Sequence, residues 1–424
     1  MRRRNEDKKS NPNTRVRPRA SKRDTSPPVE ELPARENIAD IRIARRKKQH
    51  KQWRRLAIRL GIVVLALVVL AVAVIRWEAL QPANLWGSIT GLFSGSGNGD
   101  GFPVTISGDT VVAMTETDKQ LTVLTNTSLL WLNQKGGETD RRAHTFARPA
   151  LRAAGNYVLT ADLGGKRLRL DTARKLEREW EAAGEIAAMD VTAQGVVALV
   201  TASSRSFLSE AVVLDKKGTS RFHWYSAEWL LTGVTLREDG KQVAVIGVAA
   251  SGGALKTRLM IFDLTSENPV ATFEGTDLLA LEVSYYAAGG GIVMVGDRAC
   301  WSISADLKTR TVTDYADVEL LKYAIGREST ALAVRHVGGG DGGELRVLNS
   351  AGVVTGAGVV TERIQDITPA ASDNFWMLTS GQLLRLNKDG ISHKQDTALD
   401  SIQVTAYQKK VAVLGLTEIR LTTG

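Results

Sequence analysis

From Phe102 to the end of the chain, runs of four to eight apolar and β-branched residues alternate with short stretches rich in Gly, Asp, Asn and Lys. Apolar runs of this length, separated by turn-forming residues, predict β-strands. We find no convincing amphipathic helix pattern in this region. The sequence therefore predicts an all-β domain over residues 102–424.

A turn followed by an apolar strand recurs along this domain. Eight such elements start between 36 and 50 residues apart, at positions 107, 153, 192, 237, 287, 325, 371 and 407. Repeats of roughly 40 to 45 residues that each hold four short strands are typical of propeller blades. We expect a β-propeller with eight blades, or with seven if the first or last unit is degenerate.

The two ends of the domain complement each other. The last unit supplies the strands "SIQVTAY", "KKVAVLG" and "EIRLTTG", whereas an additional strand, "FPVTIS" at 102–107, precedes the first unit. If this strand completes the last blade, the ring closes without an unpaired edge. Pro103 is compatible with an outer edge strand, where a missing N–H is tolerated.

The net charge of +9 belongs to the N-terminal region. Residues 1–59 contain 20 Lys and Arg against 7 Asp and Glu, and the remainder contains 35 against 39. The predicted domain is therefore mildly acidic and has no basic stripe, which argues against a nucleic-acid partner.

A membrane-spanning helix is predicted at residues 56–77. The uncharged run Leu60–Ile75, extended by an interfacial Trp on each side, is long enough to cross a bilayer. Nine Lys and Arg lie between Ile41 and Arg59, and only Arg76 follows before Lys119. The positive-inside rule therefore places the N-terminus in the cytoplasm and the propeller outside, on a single-pass signal anchor of the plasma membrane. A cleaved signal peptide fits poorly because the preceding region is too long.

The segments beside the anchor have distinct compositions. Residues 1–34 contain almost nothing apolar and are expected to form a disordered cytoplasmic tail. Residues 35–55 form a basic juxtamembrane segment, and residues 78–101 form a juxtamembrane and Gly/Ser linker. The basic segment either contacts anionic lipid of the inner leaflet or is solvated, and its candidate lipid contacts are Arg45, Arg46, Lys47, Lys48, Lys51, Arg54 and Arg55.

The stretches "FPVTISGDTV", "RPALRAAGNYVLTADLGGKRLRL" and "FHWYSAEWLLTGVTLREDGKQVAV" resemble the domain-of-unknown-function family 5711. These are uncharacterised membrane-anchored proteins of Gram-positive, chiefly clostridial, bacteria. The resemblance covers the anchor and the outer domain, and the tail is unmatched. It implies an extracytoplasmic propeller and supplies no catalytic residue, cofactor or partner.

The sequence contains no recognisable catalytic or metal-binding motif. Cys300 is the only cysteine, and the four histidines of the domain lack metal-ligand spacing. The strings "GSGNG" and "GGGDGG" lack the strand-before, helix-after context of a phosphate loop. We therefore expect no cofactor and no enzymatic activity.

Loop lengths indicate a binding surface. The loops between the second and third strands are long in units three, four and six, at 203–210, 249–256 and 338–343, whereas the turns at the opposite end are short. The aromatic link "HWYSAEW" shares the long-loop end. The candidate partner-binding residues are Arg205, Phe207, Trp224, Tyr225 and Trp229. Alternatively, the two tryptophans pack between blades.

These features favour a non-enzymatic, membrane-anchored extracytoplasmic propeller that serves as a binding or scaffolding platform. Its partner would be a protein or a cell-envelope polymer. A single-pass signal transducer that senses an outside ligand is the alternative, and a cell-envelope enzyme is less favoured.

Overall fold

The computed structural model describes residues 99, 101–106, 108–287 and 291–423. These residues form eight antiparallel sheets of four strands each, joined by turns and loops. The prediction of an all-β propeller with eight blades is confirmed.

Thirty-two strands make up the eight blades, numbered in chain order. The first half of the ring comprises β1 (Val104–Thr105), β2 (Val111–Thr117), β3 (Gln120–Thr125), β4 (Ser128–Leu132), β5 (Glu138–Ala143), β6 (Pro149–Ala154), β7 (Tyr157–Asp162), β8 (Arg167–Thr172), β9 (Lys175–Glu181), β10 (Ile186–Val191), β11 (Val197–Ala202), β12 (Ser209–Leu214), β13 (Ser220–Ser226), β14 (Leu230–Leu236), β15 (Gln242–Ser251), β16 (Ala254–Asp263) and β17 (Ala271–Thr276).

The second half comprises β18 (Ala280–Tyr285), β19 (Ile292–Gly296), β20 (Ala299–Ile303), β21 (Arg310–Asp314), β22 (Val318–Ile325), β23 (Ser329–His336), β24 (Gly343–Asn349), β25 (Val354–Val360), β26 (Ile364–Pro369), β27 (Phe375–Thr379), β28 (Gln382–Asn387), β29 (Gly390–Asp396), β30 (Gln403–Tyr407), β31 (Lys410–Leu414) and β32 (Glu418–Thr423). A 3-10 turn at Ala371–Asp373 lies between β26 and β27. Blades one to seven are β2–β5, β6–β9 and so on to β26–β29, and blade eight is β30–β32 with β1.

The first strands of neighbouring blades contact each other and line a central channel, and the fourth strands lie on the outside. The core consists of apolar side chains packed between adjacent blades. For example, Phe222 of blade three contacts Phe262 of blade four, with ring centroids 5.3 Å apart. Both residues are buried in one core cluster. Each blade therefore buries its two faces against its neighbours.

The strand β1 closes the ring by pairing with β32. Val104 lies opposite Ile419, and the N–H of Ile106 donates to the carbonyl of Thr417 at 2.9 Å. Phe102, Val104 and Ile106 pack against the core cluster shared by blades one and eight. The prediction that the early strand completes the last blade is confirmed. All eight sheets and their core clusters thus come from residues 101–423.

The structure corrects two details of the repeat. In blade one the element "SGDTVVAMT" runs into the first strand, β2, whereas in the other seven blades the aligned turn joins the first strand to the second. The equivalent turn in blade one is Asp118–Lys119. In blade four, residues 249–256 are not an open loop, because β15 and β16 pair as far as Ser251 and Ala254. A two-residue turn at 252–253 joins these long strands.

The connections divide between two opposite faces of the ring. The loop face carries the links from second to third strands and from blade to blade, at 108–110, 126–127, 144–148, 163–166, 182–185, 203–208, 227–229, 252–253, 277–279, 297–298, 315–317, 337–342, 361–363, 380–381, 397–402 and 415–417. The turn face carries the remaining links, at 118–119, 133–137, 155–156, 173–174, 192–196, 215–219, 237–241, 264–270, 286–287 with 291, 304–309, 326–328, 350–353, 370–374, 388–389 and 408–409.

The expectation that the loop face carries long connections and the turn face only short ones is wrong. The connection at 264–270 on the turn face is longer than any loop-face connection in the described part of the chain. Several predicted loop residues extend strands instead, which shortens the connections of the loop face.

The predicted segments 1–34, 35–55 and 56–77, with the candidate lipid contacts at positions 45–55, lie outside the described residues, as does nearly all of 78–101. In the part of the chain that the structure describes, no helix is long and apolar enough to cross a membrane.

Candidate functional site

Exposed hydrophobic side chains are concentrated on the loop face. The described residues expose sixteen large hydrophobic side chains, and eleven of them lie in, or within two residues of, its connections: Val112, Phe207, Leu208, Leu230, Leu279, Leu281, Val337, Val359, Leu399, Ile402 and Leu416. Four lie at the turn face, namely Leu176, Val270, Val353 and Val354, and Val312 lies on an outer strand. Single exposed hydrophobic residues are ordinary, but their concentration at one end indicates an interaction surface.

Blade three carries an aromatic stack on this face. The rings of Phe207 and Tyr225 stack with centroids 5.0 Å apart, and His223 stacks on Tyr225 at 4.3 Å. The guanidinium of Arg205 lies 5.0 Å from the Tyr225 ring centroid. Register explains the arrangement, because positions 223 and 225 project from the same face of β13, and the loop at 203–208 brings Arg205 and Phe207 beside them.

A buried carboxylate supports the stack. Glu210 is 1% exposed and its Oε2 lies 3.1 Å from His223 Nε2, while its Oε1 accepts a hydrogen bond from the Thr201 hydroxyl at 3.2 Å. These contacts fix the imidazole on which the Tyr225 ring rests. The stack is therefore fixed from below, while Arg205 and Phe207 are exposed to solvent.

The two candidate tryptophans have a different environment. Trp229 is 7% exposed in the core between blades three and four, and the guanidinium of Arg258 lies 4.2 Å from its ring centroid. Trp224 is half-buried and packs against Phe262, with centroids 5.0 Å apart. Trp229 therefore packs between blades, as the alternative expectation states, and Trp224 does so in part. The predicted residues that reach the loop-face surface are Arg205, Phe207 and Tyr225.

The central channel contains a polar cluster that sequence reasoning did not identify. The channel encloses a cavity of about 640 Å³ lined by first strands from blades two to seven. Across it, Arg152 of blade two pairs with Glu282 of blade five at 2.9 Å. Tyr323 of blade six lies beside Glu282, and burial with this carboxylate raises the pKa of its phenol. The ion pair therefore bridges non-adjacent blades.

Two carboxylates on the channel wall act as links between blades. Asp190 accepts hydrogen bonds from the Leu236 N–H at 2.7 Å and from the Thr235 hydroxyl at 3.0 Å. Asp366 accepts the Val404 N–H at 2.9 Å in the same way. Although Asp190 as a residue is only partly buried, packing around its carboxylate raises its pKa, and burial also raises the pKa of Asp366.

A buried charge cluster joins blades one and two. Asp171 is fully buried and lies 2.7 Å from Arg142 and 3.2 Å from Arg169. Burial raises the pKa of Asp171, and the two guanidinium groups oppose that shift. Among the described residues Asp171 is the only carboxylate paired with Arg169, whereas Arg142 also pairs with Asp140. The cluster therefore links the two blades through Asp171.

Other chemistry-bearing residues are dispersed. Cys300 is buried, as expected for a core residue, and burial raises the pKa of its thiol to about 12. Within residues 101–106, 108–287 and 291–423, no three His, Cys, Asp or Glu side chains are grouped as a metal site would require.

Comparison with known proteins identifies a family and a fold. A family model described as "Family of unknown function (DUF5711)" matches residues 104–418. The C-terminal WD40 domain of Sif2 is 12% identical, with a TM-score of 0.54 over 76% of this chain and 99% of that chain. Sqt1 of Saccharomyces cerevisiae is 9% identical, with a TM-score of 0.54 over 77% of this chain and 100% of that chain. At these identities the likeness shows the propeller fold alone. No curated protein matches the chain.

Proposed function

The chain belongs to the DUF5711 family of unknown function, and we propose that its propeller is a non-enzymatic binding platform for a protein partner, held outside the cell by a single membrane anchor. The observation that carries this proposal is the concentration of exposed hydrophobic side chains on the loop face. The hydrophobic run at 60–75 and the asymmetry of flanking basic residues support the anchor.

The chemistry of the loop face favours a protein over a cell-envelope polymer. Ten of its eleven exposed hydrophobic residues are aliphatic, and only Phe207 is aromatic. Covering aliphatic surface with other apolar groups lowers the free energy of the system. A protein surface offers such apolar groups, whereas a hydroxyl-rich glycan offers few of them. The partner should therefore present an apolar patch.

The charge of the loop face indicates the rim of that partner. Its connections contain nine acidic residues, Asp109, Glu185, Glu228, Asp277, Asp297, Asp317, Asp341, Glu362 and Asp400. They contain five basic residues, Arg148, Lys166, Arg205, Arg298 and Arg363. A partner with a basic rim around its apolar patch complements this surface and is steered toward it.

The blade-three stack is the expected centre of binding. Tyr and Arg are enriched among residues that dominate interface energetics, and such residues cluster in well-packed positions. Phe207 and Tyr225 already stack in the free propeller. Association with a partner therefore costs little additional conformational entropy at these two side chains.

Capture of the partner by the full-length chain tests this proposal. The chain is cross-linked in intact cells of its source and purified, and the double variant Phe207→Ser with Leu208→Ser is compared with the wild type. We expect the partner to be lost from the variant, since replacing interface anchors typically costs about 2 kcal/mol or more, which is about 30-fold in affinity.

The matched control is Val353→Ser with Val354→Ser, which removes two exposed hydrophobic residues from the turn face. It should capture the partner as the wild type does. Equal capture by both double variants, or loss in the control alone, would contradict the assignment of binding to the loop face.

A further inference from the structure

Lysine side chains are concentrated on the turn face, opposite the loop face that carries most of the exposed hydrophobic residues. Residues 102–424 contain fourteen lysines. The connections of the turn face hold eight of them, and those of the loop face hold one, Lys166. The turn-face lysines are Lys119, Lys135, Lys216, Lys217, Lys241, Lys308, Lys388 and Lys409.

Within the turn face, positive charge is concentrated in one half of the ring. The turns of blades eight, one, two and three carry six cationic side chains and two acidic ones, Asp118 and Asp215. This local excess corrects the expectation that the domain has no basic stripe. We call these cations the basic arc: Lys119, Lys135, Arg174, Lys216, Lys217 and Lys409. The turns of blades four to seven carry five cationic side chains and seven acidic ones, so this half has no positive excess.

The turn geometry exposes the cations of the arc. Asp215 accepts the Lys217 and Thr219 N–H groups at 2.8 and 2.9 Å, and Asn133 accepts the Lys135 N–H at 2.8 Å. These side chains are thus occupied in shaping the turns. All six cations of the arc are exposed, and the described residues provide no ion pair to any of them.

The polypeptide enters the propeller in the middle of this arc. The N–H of Gly101 donates to the Lys135 carbonyl at 3.0 Å. Gly99 lies so close to the same turn that a Cβ there would meet the Lys135 carbonyl oxygen at 2.2 Å. Gly99 and Gly101 therefore place the start of the described chain at the turn face, beside blade one.

We propose that the basic arc lies against anionic lipid headgroups of the membrane that anchors the chain. The inference rests on the anchoring part of the proposed function, since residues 56–77 precede the entry point by a short linker. Each Lys or Arg near an anionic bilayer surface contributes roughly a fivefold gain in affinity. Contact at the turn face directs the loop face away from the bilayer, toward the partner.

Vesicle binding by the propeller alone, residues 99–424, tests the inference without the anchor. This part of the chain closes its own ring and holds the described core, so it is expected to fold independently. We expect co-sedimentation with vesicles of 70% phosphatidylcholine and 30% phosphatidylglycerol, little with pure phosphatidylcholine, and loss of binding in 0.5 M salt. Equal binding to both vesicle types would overturn the inference.

Charge reversal at matched positions locates the contact. The arc variant carries Lys135→Glu, Arg174→Glu, Lys216→Glu and Lys217→Glu, and its vesicle affinity should fall by roughly a hundredfold or more. The control reverses four exposed cations of the other half of the same face, Lys241→Glu, Lys308→Glu, Arg327→Glu and Lys388→Glu. It makes the same change in net charge and should retain most of the binding. Equal losses in the two variants would contradict a localised arc.

Two further measurements address two other outcomes, namely that the arc binds a soluble polyanion and that the isolated propeller does not fold. Binding of the propeller to soluble polyphosphate without binding to vesicles would overturn the inference, because the ligand of the basic arc would then be a soluble polyanion and not a lipid surface. If the isolated propeller does not fold, the contact can be tested in the full-length chain with a fluorophore attached at Gln134→Cys. Spin labels on the lipid headgroups should quench this fluorophore only in vesicles that contain phosphatidylglycerol. Capture of the protein partner should survive in the arc variant, so loss of lipid binding is distinguishable from failure of the proposed function.

Discussion

Closure of the ring by β1 and β32 predicts that a disulfide across this strand pair will stabilise the propeller. Thr105 lies opposite Glu418. Because the neighbouring pair of Ile106 and Thr417 is hydrogen-bonded, the 105–418 pair is non-hydrogen-bonded, with Cα atoms about 4.5 Å apart. That separation lies within the range that a disulfide spans. Thr105 is exposed and Glu418 is half-buried, so an oxidant can reach both positions.

The expected gain follows from the length of chain that the disulfide encloses. A loop of roughly 310 residues corresponds to about 5 to 6 kcal/mol in the chain-entropy model, as an upper bound. A propeller of about 320 residues has an unfolding entropy near 0.7 kcal/mol per kelvin, so its melting temperature should rise by up to about 8 °C. Loss of the surface ion pair between Glu418 and Arg420, at 2.6 Å, costs little.

The assay compares the oxidised and reduced forms of Thr105→Cys with Glu418→Cys by thermal unfolding. As a control, Thr105→Cys with Thr422→Cys places the thiols four residues out of register, about 13 Å apart, where they should not bridge. Cys300 is buried and should not interfere. If the first pair does not oxidise, or if the oxidised form melts with or below the reduced form, the closure inferred here is incorrect.

Three further predictions concern the core, the channel and the anchor. Arg169→Met should lower the free energy of unfolding by about 1 to 3 kcal/mol, because the buried Asp171 keeps only one guanidinium partner and the Ala143 carbonyl loses a hydrogen bond, and denaturant unfolding measures this; a loss below about 0.5 kcal/mol would contradict it. Since burial raises the pKa of Asp190 in the folded state, folding favours its neutral form, and this favourable contribution is lost as pH rises through the folded pKa. The stability of the wild type should therefore fall relative to that of Asp190→Asn as pH rises above about 4, near the unfolded pKa; a relative rise would contradict this prediction. In whole cells, a membrane-impermeant maleimide should label Ser96→Cys and not Ser10→Cys, and equal labelling would exclude the proposed topology.

The propeller and its blade count were predictable because the signal is periodic. Each blade repeats a short polar turn before a buried apolar strand, and eight repeats compensate for ambiguity in any one. The alignment failed in blade one, where the turn Asp118–Lys119 has φ angles of 50° and 62° and contains no glycine. Asp and Lys give a weak signal for a turn that requires positive φ at both positions.

Loop lengths were harder to predict than strands. The residues "AASGGALK" at 249–256 suggest a loop because small residues and glycine predominate. In the structure, cross-strand pairing continues through Ala250 and Leu255. Backbone hydrogen bonds to a partner strand extend these strands in spite of weak local propensity.

The positions of the candidate surface residues were predictable in part. Arg205, Phe207 and Tyr225 lie together because a loop and an outer strand of the same blade are close in sequence. The burial of Trp229 depends on the adjacent blade, through Arg258 and the shared core. The channel pair of Arg152 and Glu282 joins residues 130 apart in non-adjacent blades, so no local pattern marks it.

Site-specific photo-crosslinking around the ring can show which of the two faces binds the protein partner. A photoreactive residue is placed in the full-length chain at Leu208, Val337 or Leu416 on the loop face, and at Val270 or Val353 on the turn face. We expect one and the same protein to be cross-linked from all three loop-face positions in intact cells and from neither turn-face position. A shared protein adduct from the turn-face positions, with none from the loop face, would contradict it.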